Sequence, residues 1–163
     1  MKFLVLRTDL KRKLKYIRLL VVDAGIFASE LTNGGGSFGD NIERDMQSSL
    51  ILDRVRVVIC SENDGGGYEN LLNGSGIKYI SLDGLSYAEI IERLCADYGV
   101  NRTEVAFINN SESDHNVLSA LNFAVATMDA PMDVKTGSYY VSNFTGSKTL
   151  GEIIQIISAA KDS

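Results

Sequence analysis

The run Ile17-Arg18-Leu19-Leu20-Val21-Val22-Asp23 constrains this chain more than any other feature. After Arg18 it is continuously apolar up to the closing aspartate. Lack of alternation marks a strand covered on both faces, as in a parallel sheet. A carboxylate at the carboxyl end of such a strand stands where open α/β sheets bind ligands. Two later strands end in the same way. Val57-Val58-Ile59-Cys60 runs into Ser61-Glu62-Asn63-Asp64, and Val105-Ala106-Phe107-Ile108 runs into Asn109-Asn110-Ser111-Glu112-Ser113-Asp114. Three apolar strands delivering polar clusters to one edge have the layout of an active site.

Strand-like and helix-like segments alternate along the rest of the chain. Strands are expected at 17–23, 55–60, 77–82, 105–108, 123–126 and 139–142, and helices at 42–52, 68–72, 86–98, 113–121 and 150–160. The helix opened by Ser86 carries the clearest local signals. Ser86 and Glu89 have the spacing of a capping box, Ile90, Ile91, Leu94 and Cys95 form an apolar stripe, and Gly99 supplies the stop. Such alternation implies one three-layer α/β domain over residues 1–163, with a mostly parallel central sheet. Lys11-Arg12-Lys13-Leu14-Lys15 is the one charge run, and residues 1–14 read as a basic, solvated lead-in to the first strand. Residues 1–9 alternatively form a short extra strand.

Charge and cysteine usage narrow the function classes. A formal net charge of −5 leaves no electrostatic footprint for nucleic acid. No run reaches membrane-spanning length, so no membrane role is expected. Cys60 and Cys95 each lie inside an apolar segment and read as small buried hydrophobes in a reducing compartment. These readings place the protein in the cytoplasm.

Aspartate at the end of the first strand, serine at the end of the second and an acidic-polar cluster after the fourth resemble the haloacid dehalogenase superfamily. Within it the chain is most similar to 3-deoxy-manno-octulosonate 8-phosphate phosphatases and to the related C-terminal domain of CMP-sialic acid synthetases. The opening strand, the Val105 to Ile108 strand, Ala124-Val125-Ala126 with Asp129-Ala130-Pro131, and the Arg44-Asp45 pair carry the resemblance. It implies a Rossmann-like fold without a large cap domain, and a flap over residues 24–44. It also implies Asp23 as nucleophile, Ser61 and Lys148 as substrate contacts, and Asp23, Asn110 and Asp114 as ligands for Mg²⁺.

Several positions depart from the pattern. Such phosphatases place a second aspartate two residues beyond the nucleophile as general acid and base, and here Gly25 stands there, followed by Ile26. The lysine that precedes the long helix aligns with Tyr87, while Lys78 lies a strand away. Asn109-Asn110-Ser111 replaces a Gly-Asp-Asp run, leaving Asp114. Positioned acid–base catalysis is worth roughly 10²–10⁴-fold, and phosphoryl transfer depends on metal and cation electrostatics. Losing these groups together predicts a pseudoenzyme serving oligomerisation or regulation near acylneuraminate or related sugar-acid metabolism. The alternatives are a weak Mg²⁺-dependent phosphomonoesterase using Asp23 and a module that binds phosphate or sugar acid without turnover.

Structural roles stand beside these functional ones. Asp23 is equally a strand-end carboxylate accepting loop N–H groups, Ser61 and Asp114 are equally helix caps, and Lys148 is equally an ordinary exposed lysine. Gly65-Gly66-Gly67 reads as a turn, and His115 as a surface histidine. Relatives build a tetramer through the flap, so a homotetramer and a cytidylyltransferase are the expected partners. Apolar Phe27, Leu31 and Phe38 around Gly34-Gly35-Gly36 are the expected contacts of that assembly.

Overall fold

The computed structural model describes residues 7–28, 54–62, 77–110, 117 and 120–162. Helix α1 (Thr8–Lys15) leads into β1 (Leu19–Asp23) and a 3₁₀ turn (Ala24–Phe27). Strands β2 (Arg56–Ser61) and β3 (Lys78–Ser81) precede helix α2 (Tyr87–Tyr98). Then come β4 (Val105–Asn109), β5 (Phe123–Ala126), α3 (Met132–Gly137), β6 (Tyr140–Val141) and α4 (Ser147–Lys161). The six strands form one sheet in the order β3-β2-β1-β4-β5-β6, and every neighbouring pair is parallel.

Strand pleating sorts the core into two layers. Leu20, Val22, Val57, Ile59, Ala106, Ile108, Phe123 and Val125 point to the face covered by α1 and α4. Leu19, Val21, Val58, Cys60, Val105 and Phe107 point to the face covered by α2 through Tyr87, Ile90, Ile91 and Leu94. None of Leu19, Leu20, Val21 and Val22 retains exposed surface. Each such burial stabilises by about 1.5–3 kcal/mol before entropy is counted, so β1 anchors the domain. The result is the expected three-layer α/β fold, and among the described residues there is no large cap. No helix of the described residues is long and apolar enough to cross a membrane.

Helix α2 follows its sequence signals closely. Ser86 accepts from the Glu89 N–H at 3.2 Å, the Glu89 carboxylate accepts from the Ser86 N–H at 3.2 Å, and Gly99 closes the helix at φ 66°.

The chain start differs from expectation. Residues 8–15 form a helix where a lead-in or an extra strand was expected, so Thr8 and Asp9 are helical, while residues 1–6 lie outside the described residues. Leu10 and Leu14, four apart, bury one stripe against α4, and the cations around them line the outer side. Helix α4 begins at Ser147, earlier than expected, because the small polar residues of its first turn face inward: Ser147 and Thr149 are buried. Gly146 just before it has φ 58°, a left-handed conformation that favours glycine. The helices expected at 42–52 and 68–72, and most of that at 113–121, lie outside the described residues.

Candidate active site

Sheet order fixes where a ligand belongs. From β1 the chain proceeds outward through β2 and β3, then returns to the other side of β1 for β4, β5 and β6. The order reverses between β1 and β4, and a crevice opens outside the carboxyl ends of strands at such a point. Asp23 ends β1 and Asn109 ends β4, followed by Asn110. Asp23 pairs in register with Cys60, so Ser61 and Glu62 come to the same edge from β2.

The Asp23 carboxylate is only partly accessible. Its Oδ1 accepts the Gly25 N–H at 3.0 Å, which caps the 3₁₀ turn. Burial raises its pKa above the ordinary carboxylate value. The Gly25 N–H and the Tyr87 hydroxyl oppose that shift, and the Glu62 charge adds to it. Among the described residues, no cation stands against Asp23.

Tyr87 takes a place beside Asp23. It is the first residue of α2, almost fully buried, with its ring 4.8 Å from that of Phe107. Its hydroxyl donates to the Cys60 carbonyl at 3.3 Å and also interacts with Asp23. A phenol has one proton to donate, so these two acceptors share it. Burial, and then the Asp23 charge, push its pKa up, which keeps the group neutral. An ammonium here would neutralise Asp23 and a bound phosphoryl group; the phenol supplies no charge.

Gly25 leaves open a space beside Asp23. A Cβ built on it would lie 3.4 Å from Asp23 Oδ1, 3.5 Å from Asp23 Oδ2 and 3.4 Å from Asn110 Oδ1. The position therefore faces Asp23 and the β4 rim together, yet carries no side chain. The asparagines of that rim act as donors. Buried Asn109 gives its Nδ2 to the Val125 carbonyl at 3.2 Å, and Asn110 gives its Nδ2 to the Gly25 carbonyl at 3.4 Å. A carboxylate at either position has no proton to offer and would meet a carbonyl oxygen instead.

The described residues offer a divalent cation one carboxylate, Asp23, and one neutral amide oxygen, Asn110 Oδ1, both flanking the Gly25 position. These are hard oxygen donors of the kind Mg²⁺ takes, and Mg²⁺ is commonly held by one or two carboxylates plus phosphate. The set fits Mg²⁺ chemically, with a single charge to hold it. Asp114 lies outside the described residues, as do Asp64, the glycine triplets, Arg44-Asp45, His115, Leu31 and Phe38.

Other expected positions come out as follows. Ser61 is nearly buried at the end of β2, with its carbonyl accepting from the Leu82 N–H at 2.9 Å. Lys148 is exposed in the first turn of α4. Phe27 was expected to be an assembly contact of the flap. It has no exposed surface and belongs to the core cluster beneath α1 and α4, because the 3₁₀ turn folds it back over β1. Glu62, whose charge reaches Asp23, was read in the sequence only as part of a polar cluster.

No protein-family model matches the chain, and no curated protein matches it. Solved structures do. The 3-deoxy-D-manno-octulosonate 8-phosphate phosphatase from Yersinia pestis superposes with TM-score 0.77 at 22% identity, covering 96% of this chain and 89% of that one. The Moraxella catarrhalis phosphatase, in complex with magnesium, phosphate and the KDO sugar, gives TM-score 0.75 at 16% identity, covering 96% and 94%. The cobalt-bound enzyme from Haemophilus influenzae gives 0.75 at 21%, covering 91% of each chain. At these identities the likeness is one of fold. The chain thus has the haloacid dehalogenase fold of the 3-deoxy-D-manno-octulosonate 8-phosphate phosphatases, over nearly its whole length.

Proposed function

We propose that this chain is a catalytically impaired phosphatase-type domain, retained for assembly or regulation in sugar-acid metabolism. One observation carries the reading: the Asp23 carboxylate faces a bare glycine at the acid position and a neutral tyrosine at the cation position. A phosphoryl transfer site needs a nucleophile, a proton donor for the leaving oxygen and positive charge for the equatorial oxygens. Of these the described residues keep the nucleophile alone.

Asp23 and Asn110 are the described residues that would hold Mg²⁺, with Asp114 a further candidate from the sequence. A bound Mg²⁺ would supply charge to a phosphate group. This chain's own residues would contribute the Gly25 N–H, the Tyr87 hydroxyl and Ser61 as neutral hydrogen-bonding groups around it. Such a set can bind a phosphate or sugar acid more readily than it can expel a leaving group.

Assembly is the second half of the proposal, as a homotetramer and as a partner of a cytidylyltransferase. Exposed Met128, Met132, Val141 and Phe144 support a role in contacts, since they cluster around the β5–β6 end, where the Met128 N–H donates to the Phe144 carbonyl at 2.9 Å. Light scattering across a concentration series checks the oligomer, and a monomer throughout removes that half. The catalytic half is tested with sugar phosphates, including 3-deoxy-D-manno-octulosonate 8-phosphate, and Mg²⁺. Turnover is expected far below the ordinary enzymatic range, which starts at about 1 s⁻¹. A rate within that range, abolished in Asp23→Asn, overturns the reading.

A further inference from the structure

A polar recess lies at the opposite edge of the sheet, where the strands begin. Arg18 immediately precedes β1, and Arg56 opens β2 in register with Leu19; the Arg56 N–H donates to the Arg18 carbonyl at 2.9 Å, so the two backbones adjoin where the strands begin. Together with Arg54, Asp97 and Tyr98 they line a cavity of about 640 Å³. That volume falls in the range of small-molecule sites, roughly 300–1,000 Å³.

The cations here are crowded. Arg18 pairs with Glu104 at 3.6 Å and Arg54 with Asp162 at 2.7 Å. Arg56 lies 5.8 Å from the Tyr98 ring centroid and Lys78 5.9 Å from it, and neither has a carboxylate partner among the described residues. Lys161, at the end of α4, has its pKa lowered by burial and then by the Arg54 and Arg18 charges. Among the described residues, Asp97 is the one carboxylate lining the recess itself. A protein of net charge −5 thus gathers three arginines around one hollow, Arg18 and Arg54 each paired with a carboxylate and Arg56 without one among the described residues. An anion entering the hollow would meet Arg56 directly, with Arg18 and Arg54 beside it, and arginine presents planar, paired donors that match phosphate oxygens.

We infer that this recess binds a small, multiply charged anion of the phosphate-ester or diphosphate class, held by Arg18, Arg56 and Arg54. The site is separate from Asp23. Five residues of strand at about 3.3 Å each put Arg18 roughly 17 Å from it. The recess is concave and as large as a small molecule, which favours a free ligand over a phospholipid headgroup at a flat membrane.

Calorimetry of the full chain with pyrophosphate, in low salt and without divalent cations, tests the inference. Expected is a dissociation constant of about 1 mM or tighter. It should weaken at least roughly tenfold in Arg18→Gln/Arg56→Gln, as loss of charge-assisted bonds requires, and persist in Asp23→Asn. No binding by the parent, equal binding by the arginine variant, or loss in Asp23→Asn with retention in the arginine variant overturns it. Should the arginine variant fail to fold by circular dichroism, amide shifts of the parent during the titration decide. Shifts at Arg18, Arg56 and Tyr98 support the site, and shifts confined to Asp23 and Gly25 overturn it. Co-sedimentation with phosphatidic acid vesicles, without a pyrophosphate signal, overturns the assignment to a free ligand.

Discussion

Asp23→Asn should make the protein more stable at neutral pH. Asp23 is shielded from solvent, has no cationic partner among the described residues and feels the Glu62 charge, so its pKa is raised on folding. A carboxyl whose folded pKa exceeds its unfolded value stabilises the fold while protonated. That contribution is complete below the unfolded pKa, near 3.9, and is lost as pH rises through the folded pKa. At pH 7 the native state therefore holds a charge it would rather shed. Asparagine keeps the oxygen that accepts the Gly25 N–H at 3.0 Å and removes the charge. A single stabilising substitution is commonly worth about 0.5–2 kcal/mol, and a domain of this size moves about 2–4 °C per kcal/mol, giving a rise of roughly 1–8 °C. Differential scanning calorimetry from pH 3 to pH 8 measures it. The advantage should be largest at pH 7 and shrink towards pH 3. A variant less stable than the parent at pH 7, or a difference that ignores pH, would refute the account of Asp23 as an uncompensated charge.

Restoring the missing groups together, Gly25→Asp with Tyr87→Lys and Asn110→Asp, should raise Mg²⁺ affinity measured by calorimetry by at least tenfold, because a Cβ at Gly25 meets only ordinary contacts and faces Asp23 directly. No gain over the parent would mean that these positions do not form one site. Phe27→Ala should cost about 3–5 kcal/mol in chemical denaturation, since Phe27 is fully enclosed by the domain's own core; a loss under 1 kcal/mol would return it to the surface.

Much of the sheet was legible because strands buried on both faces appear as unbroken apolar runs. Residues 123–126 were placed to the residue, and 105–108 with Asn109 added. Helix α2 was equally legible, since its capping box and its glycine stop are local chemistry. The strand expected at 139–142 is shorter as β6, Tyr140–Val141, although the Tyr139 and Ser142 N–H groups at its ends also donate to β5 carbonyls, of Ala124 and Ala126. Helix α1 was missed for a physical reason: two leucines four apart suffice to dock a short helix, but four cations around them conceal the spacing. Asp23, Gly25 and Tyr87 were found as a set by likeness to a family, and the fold brings them together. The arginine recess left no trace in the sequence. Its residues come from positions 18, 54, 56, 97 and 98, and only the register of β1 against β2 and the end of α2 assemble them.

The asparagines at the end of β4 act as a ratchet. Asn109 and Asn110 each spend an amide N–H on a backbone carbonyl, of Val125 and of Gly25. Replacing either one by aspartate, Asn110 above all since it stands at an aspartate position of the Gly-Asp-Asp pattern, forfeits a hydrogen bond worth about 1 kcal/mol and sets a negative charge against the carbonyl left behind. The gain in metal binding would arrive only once the other missing groups had returned as well. Asn110→Asp taken alone is therefore expected to be a loss. The two amide hydrogen bonds thus lock the β4 rim in its neutral form, and a charge can enter there only by breaking one of them.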